Sequence, residues 1–170
     1  MTPLLKKIRS LVLSGDFDVE VIDSQTRPGV LVHVSYSSDR FQAYAPGLTE
    51  DLAHFARESG EPPAILVELH FGSTDLTQPP FARVIRPRFN FHTGHVTIGG
   101  SLCSQIFTNS GWTGPKTSLS VLLMHIQLLF VDGGGRVDFG SMFNPLPFTP
   151  YTLMAAQDAF NRVANQHGWR

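Results

Sequence analysis

Apolar positions recur at helical spacing from the start of the chain, where Leu4, Ile8 and Leu11 share one face and Lys6, Lys7 and Arg9 lie between them. Thr2 and Pro3 form a helix-start pair and Gly15 a stop, so the pattern predicts an amphipathic helix with a basic outer face. From Phe17 the period falls to two. Phe17, Val19 and Val21 alternate with Asp18 and Glu20, Arg27-Pro28-Gly29 turns the chain, and Val30, Val32, Val34 and Tyr36 continue it as the second arm of an antiparallel hairpin. Thr49 is expected to cap a short helix through Leu52, Phe55 and Ala56 that Gly60 ends. Pro62-Pro63 resets the chain into a strand with Ile65, Val67, Leu69 and Phe71 on one side, and a shorter strand from Phe81 to Arg86 follows Pro79-Pro80.

Pro87 to Ser101 keeps no steady period and contains glycines, which predicts a long irregular segment leading to Cys103; such loops in compact domains are usually functional. Thr117 is expected to open a helix carrying Leu119, Leu122, Leu123, Ile126, Leu129 and Phe130, apolar on most sides and therefore buried, with Asp132-Gly133 closing it. Gly133 to Pro147 looks like a surface crossing. Thr149-Pro150 is expected to start a last helix whose Leu153, Ala156, Phe160 and Val163 form a stripe before Gly168. Closely spaced consecutive strands favour a four-stranded antiparallel meander with an N-terminal helix and two C-terminal helices, an α+β arrangement. At 170 residues the expected organisation is one domain, residues 1–170.

Composition narrows the function classes. Hydrophobic residues make up 42% and charged residues 16%, which excludes a disordered chain. Thirteen Lys and Arg against fourteen Asp and Glu leave a net charge of -1, so no nucleic-acid partner is expected. The first residues carry charges where a signal peptide needs an apolar stretch, and the longest apolar run, Val121 to Val131, is broken by His125 and Gln127. No membrane partner is expected, and the lone cysteine points to a reducing setting, the cytoplasm or nucleus.

Cys103 is the one thiol, set among small residues in Gly99-Gly100-Ser101-Leu102-Cys103-Ser104. A buried structural thiol is one reading and a nucleophile the other. A Cys–His hydrolase would need a base for the thiol; seven histidines are available, none in a local protease signature. His92, His95 and Cys103 offer at most three metal ligands on a loop, so no metal is expected. Gly133-Gly134-Gly135 precedes a strand-like Arg136-Val137-Asp138-Phe139 rather than a helix, which argues against a phosphate cradle.

Taken together, Pro79-Pro80-Phe81-Ala82-Arg83-Val84-Ile85, Gly99-Gly100-Ser101-Leu102-Cys103, Gly111-Trp112, the helix around Val121 to Ile126, Arg136-Val137-Asp138-Phe139-Gly140 and the closing Gly168-Trp169 resemble a ubiquitin-conjugating enzyme, most nearly the divergent Q-type members. The resemblance runs from about Val19 to Trp169. It implies the ubiquitin-conjugating fold, a thioester of ubiquitin or a ubiquitin-like modifier on Cys103, and transfer to a lysine amine or a hydroxyl. The implied partners are the modifier, its activating enzyme and a ubiquitin ligase, with no cofactor. Thioester exchange suits an accessible thiol without a dedicated strong base. A catalytically inert binding module of the same fold is the alternative from another class.

Several positions depart from the family pattern. Most members carry His-Pro-Asn with the Asn eight residues before the cysteine, and Q-type members typically a tyrosine; here His95 stands at that offset. An imidazole there can donate to an oxyanion or take a proton from a hydroxyl acceptor. Thr77 stands where the family usually has its ligase-docking phenylalanine. Q-type members place a histidine and a tryptophan on the acceptor side near the C-terminus. Trp169 matches the tryptophan, or else anchors a helix end, while the histidine position reads Ala164, with His167 three residues on. Lys6, Lys7 and Arg9 resemble the basic first helix that meets the activating enzyme. Q-type members also usually carry a further N-terminal domain, which these 170 residues do not include.

Overall fold

The computed structural model describes residues 1–140 and 148–170. Helix α1 (Pro3–Ser14) begins where Thr2 accepts a hydrogen bond from the Leu5 N–H and ends at Gly15, whose φ of 70° is left-handed. Leu4, Ile8 and Leu11 are its buried face. Strands β1 (Asp18–Ile22), β2 (Val30–Ser37), β3 (Ala64–Phe71) and β4 (Phe81–Arg86) form one antiparallel sheet in sequence order. Val19, Val34, Val67 and Val84 stand opposite one another across it, and the last three are fully buried. That row is the period-two pattern of each strand aligned on a single face.

Helix α2 (Pro46–Ser59) sits between β2 and β3. It starts three residues ahead of the expected cap, because Pro46 fills the first-turn slot that its fixed φ suits. Thr49 lies inside the helix, its hydroxyl donating to the carbonyls of Ser38 and Ala45. Asp51 of α2 accepts both arms of Arg136, at 2.7 and 3.0 Å, and the Val137 N–H at 3.0 Å, while Val137 pairs with Phe89. The segment after Gly135 is therefore not the surface crossing expected, since Val137 is 3% exposed; residues 141–147 of that crossing lie outside the described residues.

Helix α3 (Leu119–Asp132) is capped by Ser118 rather than Thr117. Tyr36 reaches its backbone, donating to the Leu123 carbonyl at 2.9 Å, and meets Phe17 and Phe130 edge-on. The helix is not buried all round: Val121, Met124 and Leu128 stand 67%, 44% and 46% exposed, an apolar stripe facing out. Helix α4 (Leu153–His167) starts after Thr152, whose side chain accepts from Ala155. Thr149-Pro150 stays outside it because Tyr151 is pinned first. The Tyr151 N–H donates to Ile85, and its hydroxyl accepts from the Phe89 N–H at 2.8 Å.

On the sheet's other face Glu68 binds two guanidiniums and an imidazole, with Arg27 at 2.9 Å, His33 at 3.0 Å and Arg83 at 3.1 Å, and Arg83 also donates to the Tyr151 carbonyl. This cluster ties the loop before β2 and the entry to α4 onto the sheet.

Candidate active site

The segment expected to be irregular folds into a tight hairpin that delivers Cys103. Val96 pairs with Leu102, the Thr97 N–H donates to Ser101, the Cys103 N–H donates to His95 at 2.7 Å, and the Gly100 N–H closes the tip on Thr97. One register therefore sets His95 opposite Cys103 at the open end. The arm bearing Cys103 is fixed to the sheet through Leu102 to Ala82 and Val84 to Gly100 backbone bonds. Gly100, at φ 97°, turns the tip against the Tyr151 ring, where a β-carbon would overlap it. At the other end Gly133 backs the site. A β-carbon there would lie 2.7 Å from the His95 backbone nitrogen, and one at Gly135 2.9 Å from the Phe130 carbonyl oxygen, so these two glycines serve close packing.

The thiol of Cys103 is partly exposed, and burial pushes it up from its ordinary value. No hydrogen bond joins the sulfur to an imidazole among the described residues. That is unlike a Cys–His hydrolase, which holds its sulfur as thiolate. Next to the thiol, the Ser104 hydroxyl and His125 Nε2 are 3.2 Å apart. Burial and then the proximity of His95 hold the His125 imidazole below its usual value, against a smaller opposite pull from Asp132. At neutral pH His125 is therefore uncharged, within electrostatic reach of His95 and hydrogen-bond distance of Ser104. The sequence signal for it was a polar interruption in the apolar run of α3, which the pattern alone does not distinguish from a surface position.

Cys103 opens into a groove of about 450 Å³ between the hairpin and α4. His92, His95 and His167 line it together with Arg162, and Phe91, Val96, Ile98 and Val163 supply apolar walls. Phe91 and Ile98 are 56% and 50% exposed. His92 and His95 hold left-handed backbone, φ 62° and 55°, unusual outside glycine and frequent where a functional loop aims side chains.

The other expected site residues divide. His167 lines the groove with Cys103, whereas Trp169 lies in a separate cleft with Phe160 and Phe107 and stacks on the His167 ring from behind, centroids 4.5 Å apart. Lys6 and Arg9 are exposed on α1, while Lys7 is half-buried and donates to the Thr117 carbonyl at 2.6 Å. Thr77 is exposed, with both its N–H and its hydroxyl bound by Asp75, and the Trp112 indole donates to the neighbouring Leu76 carbonyl. Among the described residues no three His, Cys, Asp or Glu side chains converge to hold a metal, so His92, His95 and Cys103 are not a ligand set. No helix among them is long and apolar enough to cross a membrane.

No family model matches the chain. Among curated proteins it is 30% identical over 110 residues, 63% of its length, to a Q-like ubiquitin-conjugating enzyme of Drosophila melanogaster, and that stretch spans 34% of the fly protein. It is 26% identical over 174 aligned positions, 98% of its length, to ubiquitin-conjugating enzyme E2 Q1 of Homo sapiens, spanning 38% of that protein. Against ubiquitin-conjugating enzyme E2 25 of Caenorhabditis elegans identity is 26% over 72% of this chain and 30% of the relative. The chain thus spans about a third of the length of these relatives. It is a divergent relative of the Q-type ubiquitin-conjugating enzymes, and the four-stranded antiparallel sheet and four α-helices of its described residues are the ubiquitin-conjugating fold.

Proposed function

We propose that this chain accepts ubiquitin, or a ubiquitin-like modifier, as a thioester on Cys103 and passes it to an amine or hydroxyl acceptor. The observation that carries the reading is the placement of Cys103: a partly exposed thiol at the open end of a braced hairpin, facing a groove with His95 and His167. Loading is exchange between two sulfurs. The incoming modifier is already activated, so a thiol held above its ordinary value suffices, and a strong base would only promote loss of the intermediate to water.

Discharge asks for more. As an acceptor attacks, negative charge grows on the carbonyl oxygen and the acceptor loses a proton; His95 serves as donor to that oxygen, and the uncharged His125 takes protons through Ser104. His167 works at the acceptor side, held by Trp169 stacked behind it. Lys6 and Arg9 on α1 are the contacts for an activating enzyme. The exposed stripe Val121, Met124 and Leu128 flanks His125 on the same helix and covers part of the modifier tethered at Cys103. Cytoplasm or nucleus would keep the thiol free.

The test is incubation with activating enzyme, ATP and ubiquitin, resolved with and without reductant. A reductant-sensitive adduct is expected; its absence with every modifier tried leaves the fold as a binding module.

A further inference from the structure

The groove beside Cys103 carries the Arg162 guanidinium, and among the described residues no carboxylate lines it. Arg162 lines it with His92, His95 and His167, and no Asp or Glu does. Among the described residues Arg162 has no ion-pair partner; Asp158, one turn earlier on α4, makes no ion pair with it. Arg162 is exposed at this partly apolar groove, and an unpaired guanidinium there is a fork-shaped anion receptor. A lysine acceptor enters such a place with a like charge and meets no carboxylate to orient its ammonium.

Resting on the thioester reading, we infer that the preferred acceptor is anionic: a nucleophilic hydroxyl flanked by a phosphate or carboxylate that pairs with Arg162. In the transfer the hydroxyl oxygen bonds to the thioester carbonyl carbon as the carbon–sulfur bond breaks. The hydroxyl proton goes to a neighbouring imidazole, and the sulfur leaves as thiolate, which then takes a proton from water. The product is an ester of the modifier, with no oxidant or other reactant consumed.

The experiment compares single-turnover discharge of preloaded chain to glycerol, glycerate and glycerol 3-phosphate at equal concentrations. The expected result is discharge to at least one of the anions roughly tenfold or more faster than to glycerol, with that ratio collapsing in Arg162→Gln and partly kept in Arg162→Lys. Which anion is favoured identifies the group recognised. Equal rates for all three acceptors, or a preference that survives in Arg162→Gln, would overturn the inference. The uncharged chain is titrated in parallel with glycerol 3-phosphate and, separately, with glycerate while the imidazole NMR signals of His95 and His167 are followed. Saturable shifts that Arg162→Gln abolishes support the receptor even if Cys103 never charges, an outcome that defeats only the thioester reading. No saturable shift in the parent with either anion overturns the receptor itself.

Discussion

The backbone N–H of Cys103 donates to the carbonyl oxygen of His95 at 2.7 Å, so thiol and imidazole leave facing positions of one hairpin. The eight-residue offset between them is the length of that hairpin. Because His95 sits at φ 55°, replacing it by alanine removes the imidazole and also strains the backbone, whereas asparagine tolerates that conformation and keeps a donor. His95→Ala is expected to slow discharge of preloaded enzyme roughly 10²-fold with little change in the charging rate, and His95→Asn to recover much of the loss. Single-turnover assays of both steps decide it. Equal discharge by His95→Ala and parent would remove His95 from the chemistry.

His125 titrates below the ordinary histidine value of about 6.5, since burial and then the positive charge of His95 both disfavour its imidazolium. Imidazole NMR titration should show that low midpoint, and His95→Asn should move it upward by removing the neighbouring charge. A depressed imidazole makes the folded state bind fewer protons than the unfolded chain. Its contribution to stability is thus present above the ordinary value and declines as pH falls through it. A midpoint at or above the ordinary value would contradict the environment described.

Charge on α1 separates into two roles. Lys6→Glu with Arg9→Glu is expected to slow charging, more at low salt than at high, without moving the thermal midpoint. Lys7→Ala should instead cost about 1 kcal/mol of stability through the lost bond to the Thr117 carbonyl, measured by urea denaturation. A charging defect in Lys7→Ala with unchanged stability would reverse the assignment.

The Glu68 cluster governs acid stability. Burial alone would raise its carboxyl, but hydrogen bonds from His33 and Arg27 and the charges of Arg83 and Arg27 outweigh it and hold the group well below the usual carboxylate range. The stability it contributes is present above the unfolded value of about 4.3 and is lost as pH falls towards the folded one. Glu68→Gln leaves Arg83, whose side chain is 10% exposed, without its counter-charge and should cost about 3 kcal/mol at neutral pH. Denaturant midpoints followed down the acid range should show less fall in the variant than in the parent.

The sheet was legible in the sequence because an apolar residue recurs at every second position of β2 and β3, so Val34 could be grouped with Val32 and Tyr36, and Val67 with Ile65 and Leu69, before any pairing was known, whereas for β4 only the span was read. Helix starts were read less well. Pro46 is a local start signal of the same kind as Pro3 and competed with Thr49 for the entry to α2, whereas the entry to α4 is set by the tertiary bonds of Tyr151, which local signals do not encode. At the site, Cys103 stood in a local Gly-Gly-Ser-Leu-Cys signature and His95 was singled out only by the offset the family resemblance supplies, whereas the fold alone brings Arg162 into their groove and His125 near His95: one looks like an ordinary charged surface position, the other like an interruption in a helix. The exposed stripe Val121, Met124 and Leu128 was hidden for the opposite reason, since a helix apolar on most sides reads as buried throughout.

Intact-mass spectrometry of a charging mixture tests most directly whether Cys103 carries the modifier. The parent chain should gain the mass of one ubiquitin less one water, the gain should vanish on brief treatment with thiol, and Cys103→Ala should gain nothing. A parent chain that keeps its mass, or a Cys103→Ala chain that gains the same thiol-sensitive increment, would contradict the account.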